Sequence, residues 1–400
     1  MKRILIVIQD MESGGGQKSL LSFLKCLENS GKVEQYQIDL IVAKPTGIFY
    51  AQIPNSIHLC STPKELMWLG SPLGDRVLKN SFSIKGFCGK AKWIIGKRIK
   101  LFSSDLNEEQ KLWTCWKKLI PQNKNRYDIA ISYMNGFPHY YVMDKVCAQK
   151  KVLWIHNEYQ KLRYNVEFDR PYYESCDRII TISQKCLESF VEVFPTLKNK
   201  ISILENITIK KDILNLGNDG VAVEFEEQNR VKLLSVGRLG AQKGFDLAIK
   251  SAKVLKDRGV DFIWIILGEG PDRKKLQEQI DADDLNNNVK MIGIRSNPYV
   301  YIKKCGIFVQ TSRFEGKSIV LDEAKIFCKP IVVTNYPTVG DSIVDGQNGL
   351  IVEMDECSIA DGIQRLLENT ILAESFVSEL RKVEGNEKEL NRYIGNMLDI

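Results

Sequence analysis

Glu315 and Glu323 stand eight positions apart in the stretch RFEGKSIVLDEAK, residues 313–325. Between them come Gly316, Lys317, Ser318 and Ile319, and then a mostly apolar run. The preceding GIFVQTS reads as a strand, so the two acids flank a strand-to-helix turn. Gly316 lets a ligand approach the backbone closely. The N–H groups of Lys317, Ser318 and Ile319 would open the helix and suit an anion. Carboxylates do not bind phosphate, but they accept hydrogen bonds from hydroxyls. The pattern points to a ligand with phosphate in its middle and hydroxyl-bearing groups on both sides, the layout of a nucleotide-sugar. The plain structural alternative is one Glu favoured by the helix dipole and another exposed in mid-helix.

A second group lies upstream in GRLGAQKG. Gly237 and Arg238 close a strand, and Lys243 follows five residues later, before a helix. Surface cations are usually without function. Two of them around a glycine-containing loop at a strand end suit a diphosphate, the arginine as a two-pronged donor and the lysine as a point charge. A third group, SGGGQ at 13–17, puts Gly15 and Gly16 at a helix start. It fails the dinucleotide fingerprint, because position 19 is Ser and the second strand, DLIVAKPTG, ends without an acid. A close backbone approach to phosphate or sugar remains. His156 ends the apolar strand KVLWIH and is one of only three histidines. A lone histidine is more often a packing residue.

These residues need strands to present them. RILIVIQ, YQIDLIVA, YDIAISY, KVLWIH and RIITIS are predicted strands, separated by helices at 17–29, 107–120, 139–149 and 184–194. The alternation restarts with VKLLSVGR, DFIWIILGEG, VKMIG, GIFVQTS and PIVVTN, and with helices near 245–259, 272–280, 297–304 and 317–328. Alternating strands and helices indicate α/β architecture with parallel sheets. A length of 400 residues suggests two domains. The polar stretch 215–230 reads as the linker, and 385–400 as a last helix.

Taken together, the motifs resemble the retaining glycosyltransferases of the GT-B fold, the "group 1" or GT4-type family. The resemblance covers most of the second half: SVGRLGAQKGFD, LGEGPDRKKL, VKMIGIRSNPYVYI and FVQTSRFEGKSIVLDEAKIFCKPIVVTNYPTVGDSIVDGQNGLIV. In the first half it is confined to SGGGQ and WIHNEY. It implies two Rossmann-like parallel-sheet domains facing across a cleft. Residues 1–206 would bind the acceptor, 207–384 the nucleotide-sugar donor, and a helix at 385–400 would pack back on the first domain. Arg238 and Lys243 would neutralise the departing diphosphate, and no metal or other cofactor would be needed. Glu323 would bind the ribose, and Glu315 the donor sugar, near the amides of 317–319. Gly237 and the backbone at Ile294–Arg295 would also meet the donor. Gly15 and Gly16 would face the phosphates, and His156 would lie beside the sugar. Where ILENITIK stands, members often carry Asn-Gly-Val-Asp, so only Asn206 is carried over. The implied activity is a hexosyl transfer that keeps the anomeric configuration. UDP, the commoner carrier, is the expected donor base. The acceptor would be a saccharide, lipid-linked or growing, in envelope or capsular polysaccharide synthesis. A nucleotide-sugar epimerase of the same fold would carry more acids and histidines. A non-catalytic binding protein would have lost Lys243 or a glutamate.

The net charge of +6 is unevenly spread. Residues 75–126 hold 13 Lys/Arg against 4 Asp/Glu, hence +9, with aromatic and aliphatic residues interleaved in GKAKWIIGKRIKLF. Either this is a solvated helix packed on its domain, or it touches anionic lipid headgroups. No nucleic-acid motif accompanies the charge. The ten cysteines are scattered, with no CxxC. The start MKRILIVIQD is too short in its apolar run for a signal peptide. The expected place is the cytoplasm, peripheral on the inner membrane face if the basic segment touches lipid.

Overall fold

The computed structural model describes residues 1–400 apart from 13, 72–74, 76–77, 79–81, 99–102 and 227–228. Ser13 of the glycine motif and part of the basic segment, including Lys100, thus lie outside the described residues. The chain divides into two compact units, Met1–Ile207 with Glu387–Ile400, and Thr208–Asn386.

In the first unit the strands are β1 (Lys2–Ile8), β2 (Tyr36–Val42), β3 (His58–Leu59), β4 (Arg126–Ser132), β5 (Cys147–Ile155), β6 (Arg178–Thr181) and β7 (Ile201–Ile203). They form one parallel sheet in the order β3-β2-β1-β4-β5-β6-β7. Its helices are α1 (Gly15–Asn29), α2 (Lys64–Gly70), α3 (Ile84–Arg98), α4 (Glu108–Trp116), α5 (Phe137–Lys145), α6 (Val166–Ser175) and α7 (Gln184–Val193). Ile4 to Ile8 are wholly buried because helices cover both faces of the sheet.

The second unit opens with α8 (Lys210–Leu216) and α9 (Val223–Glu226). Then come β8 (Val231–Val236), α10 (Phe245–Asp257), β9 (Phe262–Leu267), α11 (Arg273–Ala282), β10 (Val289–Met291), α12 (Tyr299–Lys304), β11 (Ile307–Gln310), α13 (Ile319–Ile326), β12 (Ile331–Thr334) and β13 (Leu350–Val352). After α14 (Glu356–Glu368) and α15 (Thr370–Leu380), the chain returns to the first unit as α16 (Glu389–Tyr393). The sheet order is β10-β9-β8-β11-β12-β13, all parallel. Successive strand residues serve opposite cores. Leu233, Trp264 and Val309 face α10 and α14, and Leu234, Ile265 and Phe308 face α12 and α13.

Two expectations are corrected. Residues 215–230 are not a linker, since Ala222 and Phe225 are buried in the second unit's core. The polar composition there comes from exposed turns on either side of α9 and from its exposed face. The helix placed at 139–149 ends at Lys145, and Cys147 already begins β5.

In both sheets the strand order reverses next to the first strand, between β1 and β4 and between β8 and β11. Loops leaving the carboxyl ends of those strands diverge to opposite faces and open a crevice. In the second unit this crevice is tightly built. Gly244 sits at φ +62°, and a Cβ there would lie 2.1 Å from the Thr311 carbonyl oxygen. The Gly268 φ is +148°, with the Gly237 carbonyl 1.8 Å from where its Cβ would stand.

Gly244→Ala should therefore lower the stability of the second unit by about 2 kcal/mol or more in urea unfolding. Gly240→Ala, where nothing lies within 4 Å of the added carbon, should stay within about 0.5 kcal/mol. Equal effects of the two substitutions would contradict the close approach of these loops.

Burial also makes the first unit acid-sensitive. It depresses the His139 pKa to about 3 and the His156 pKa to about 4, from an ordinary 6.5. As pH falls below about 6.5 the unfolded chain takes up protons first, so stability is present above that pH and lost down to about pH 4 for His156 and about pH 3 for His139. The loss should be about 2 kcal/mol per histidine at about pH 5. Comparing His139→Gln with the unsubstituted protein at about pH 7.5 and about pH 5 isolates one share. An identical pH loss in both would contradict it.

Candidate active site

The loop after β8 carries Gly237, Arg238 and Lys243. The Lys243 stem runs over Gly237, where an added Cβ would come within 3.1 Å of Cδ and Cε. Its Nζ reaches Glu315 Oε1 at 2.6 Å. Glu315 lies in the loop after β11 and is only 7% exposed. The Ser312 hydroxyl donates to the same Oε1 at 2.7 Å, and Gln242 Nε2 reaches Oε2 at 3.4 Å. A buried carboxylate is costly unless paired and hydrogen-bonded, and this one is both.

The same two loops are joined elsewhere. Gln242 Nε2 donates to the Phe314 carbonyl at 2.9 Å, and the Arg313 amide donates to the Gln242 carbonyl at 2.7 Å. The Arg313 guanidinium forks onto Asp246 at 2.8 and 2.7 Å and holds that carboxyl below its ordinary range. The Thr338 hydroxyl donates to the Glu315 carbonyl at 2.9 Å.

Lys243 and Glu315 were expected at different parts of one ligand, diphosphate and sugar. They touch, so any such ligand would present them its phosphate–sugar junction. Arg238 is exposed at the end of β8 and makes no ion pair among the described residues.

Helix α13 begins at Ile319, with Ser318 as its N-cap. The Ser318 hydroxyl donates to Gln310 Oε1 at 2.7 Å and caps no helix amide. The first amides of a helix have no partner within it, and this N-terminus carries partial positive charge just beyond Gly316 and Lys317. Glu323, in the second turn, is 1% exposed and accepts from the Tyr299 hydroxyl at 3.1 Å. The picture of an exposed mid-helix Glu does not hold. Arg295 spends its guanidinium on Glu224 at 3.0 Å and on the Tyr301 hydroxyl at 3.3 Å. The backbone before it is tied to the loop after β9, since the Gly268 amide donates to the Gly293 carbonyl at 3.0 Å.

In the first unit, Gly15 is the first residue of α1. A Cβ on Gly16 would lie 3.5 Å from the Met134 side chain and 3.6 Å from His156 Cδ2, so the start of α1 and the residues following β4 and β5 are neighbours. His156 Nε2 meets the Tyr133 carbonyl at 2.8 Å, and the ring stacks on Trp154. A carbonyl only accepts, so Nε2 carries the proton. With the pKa depressed to about 4, the ring is neutral near pH 7 and Nδ1 is an acceptor. Asn206 is buried beyond the end of β7.

Ser312, Gln242, Thr338 and Tyr299 had no place in the sequence reading. The first two sit inside the motifs TSRFEG and GAQKG and were open to notice. Thr338 and Tyr299 reach the glutamates from 23 and 24 residues away.

Residues 221–383 match the family model for glycosyl transferases group 1. The chain is 30% identical over 261 residues to the N-acetylgalactosamine-N,N'-diacetylbacillosaminyl-diphospho-undecaprenol 4-alpha-N-acetylgalactosaminyltransferase of Campylobacter jejuni, covering 65% of this chain and 69% of that one. It is 28% identical over 224 residues to the capsular polysaccharide biosynthesis glycosyltransferase CapM of Staphylococcus aureus, covering 50% of this chain and 58% of that one. In fold it is similar to Anabaena Alr3699/HepE, crystallised with UDP-glucose, with a TM-score of 0.69, 16% identity and full coverage of both chains. It is also similar to S. aureus TarM, crystallised with UDP and alpha-GlcNAc-glycerol, with a TM-score of 0.64, 16% identity and 99% coverage of each. Two parallel-sheet Rossmann-like units are the architecture of the GT-B class, and this chain belongs to the glycosyl transferases group 1 family.

Proposed function

We propose that the protein transfers a hexose from a UDP-sugar to a lipid-linked saccharide during cell-envelope polysaccharide synthesis, with retention of anomeric configuration. The observation that carries this reading is the Lys243–Glu315 pair, set at the strand-order reversal beside the N-terminus of α13, which has no side-chain cap. A cation and a hydroxyl acceptor side by side suit the point where phosphate gives way to sugar. UDP in the crystals of HepE and TarM supports the donor. The diphospho-undecaprenol in the name of the C. jejuni relative supports the acceptor class, and CapM supports the capsular setting.

Roles follow from chemistry. Arg238 and Lys243 take up the negative charge that grows on the leaving diphosphate, so the reading assigns no metal to that task. The amides at 317–319 bind phosphate, and Glu323 accepts from the ribose hydroxyls. Glu315 orients the sugar. In the first unit, Gly15 and Gly16 leave room for phosphate, and neutral His156 offers Nδ1 to a sugar hydroxyl. A leaving phosphate oxygen on the same face as the acceptor would remove the acceptor's proton, so the reading calls for no protein base. The bulk of this work is positioning and charge stabilisation. The place of action is then the cytoplasmic side of the membrane.

The two glutamates should fail differently. Glu323→Gln should weaken UDP and UDP-sugar alike, by roughly 10–150-fold, the worth of a hydrogen bond to a charged group. Glu315→Gln should leave UDP affinity nearly intact, because UDP has no sugar, and should lower the transfer rate. Calorimetric titration of UDP into both variants decides it. Equal losses, or none, would overturn the assignment.

A further inference from the structure

Surface helices ordinarily turn apolar residues inward and polar residues outward, and α3 does the reverse. Its inner side is glycine: Gly86 lies against the Trp68 indole and Gly89 against that of Trp116, so close that an added Cβ would come within 2.5 and 2.7 Å of the rings. Its outer side carries Ile84, Phe87 and Ile95, which are 71%, 63% and 56% exposed and recur at helical spacing. Ile94 and the preceding Phe82 are exposed as well. Five of the twelve exposed large hydrophobic residues among the described residues thus fall within 14 positions. Packing cannot explain this, because the glycines already give α3 its fit to α2 and α4.

The charge on the helix narrows the occupant. Residues 82–98 contain five cations and no acid. Lys90 is buried, donating to the Ser71 carbonyl at 2.6 Å beside Trp116, and Lys97 pairs with Glu108 at 2.6 Å. Lys85, Lys92 and Arg98 are exposed and make no ion pair among the described residues. An apolar strip edged by exposed cations matches a surface of negative headgroups over acyl chains. No helix among the described residues is long and apolar enough to cross a membrane, so the contact is in the plane of the interface. We propose that α3 lies on an anionic bilayer, with Ile84, Phe87 and Ile95 entering the headgroup–acyl boundary and Lys85, Lys92 and Arg98 meeting the phosphates. This deepens the reading of a lipid-linked acceptor by giving the chain a place on the membrane that holds it. It rests on that reading only for its purpose, because the test reads lipid binding and not transfer.

The experiment is co-sedimentation of the full chain with phosphatidylcholine vesicles, with and without phosphatidylglycerol. The protein should bind the anionic vesicles at least about 10-fold more tightly, and added salt should weaken that binding. Lys85→Gln with Lys92→Gln and Arg98→Gln should weaken it roughly 100-fold and remove most of the salt dependence. Ile84→Ser with Phe87→Ser and Ile95→Ser should abolish it while leaving UDP affinity and the circular dichroism spectrum unchanged. If that triple variant misfolds, the charge variant still decides. No binding to either vesicle, equal binding to both, or binding untouched by the charge variant would overturn the proposal. So would an apolar face that instead joins two copies of the chain, seen by analytical ultracentrifugation without lipid binding.

Discussion

A carboxylate withdrawn from water must be hydrogen-bonded or paired, and in the second unit Glu315 is paired with Lys243. The side chains are 8% and 20% exposed, so the pair is only lightly screened by solvent. Glu315 belongs to the loop after β11, Lys243 to the loop after β8. Their contact therefore holds two segments that the sheet merely brings near each other. Ser312 and Gln242 complete the shell, and Arg313 with Asp246 repeats the device a few residues away. Leaving either member of the pair alone would strand a charge in a poorly hydrated place.

The sheet makes this contact available. In β10-β9-β8-β11-β12-β13 the crossovers from β8 turn one way and those from β11 the other, so the two loops part above their strands. Glycine keeps the crevice narrow at Gly244 and Gly268, where any side chain would strike a carbonyl. Helix α13 starts beside the Glu315 loop without a side-chain cap, since Ser318 gives its hydroxyl to Gln310. Close backbone packing and polar side chains are concentrated where a ligand carrying phosphates and hydroxyls could use them. The reversal between β1 and β4 repeats the plan in the first unit, where Gly16 lies beside Met134 and His156.

Much of this was legible in the sequence, for reasons visible at particular residues. Strands such as FIWIIL announce themselves because both faces are covered and every residue is buried. The residue types in GRLGAQKG and RFEGKS named the chemistry before any geometry. What stayed hidden depends on contact across the chain. Lys243 and Glu315 are 72 positions apart, and nothing local says that they meet. Strands β7 and β13 have three residues each and went unread, while β10, equally short, showed in VKMIG. The stretch 215–230 looked like a linker because few of its described residues are buried, Gly217, Ala222 and Phe225 standing among mostly exposed polar ones. Helix α3 misleads in its own way, since its glycines face inward and its isoleucines outward.

The most direct test is a double-mutant cycle on the unfolding free energy of the second unit, using Lys243→Met, Glu315→Gln and the two together. If the pair ties the loops as described, Lys243→Met alone should cost about as much as the double variant or more, because only the single substitution leaves a buried carboxylate without its cation. The coupling should be about 1–3 kcal/mol. Single costs that simply add, within about 0.3 kcal/mol, would show that the two residues act independently and would contradict the account.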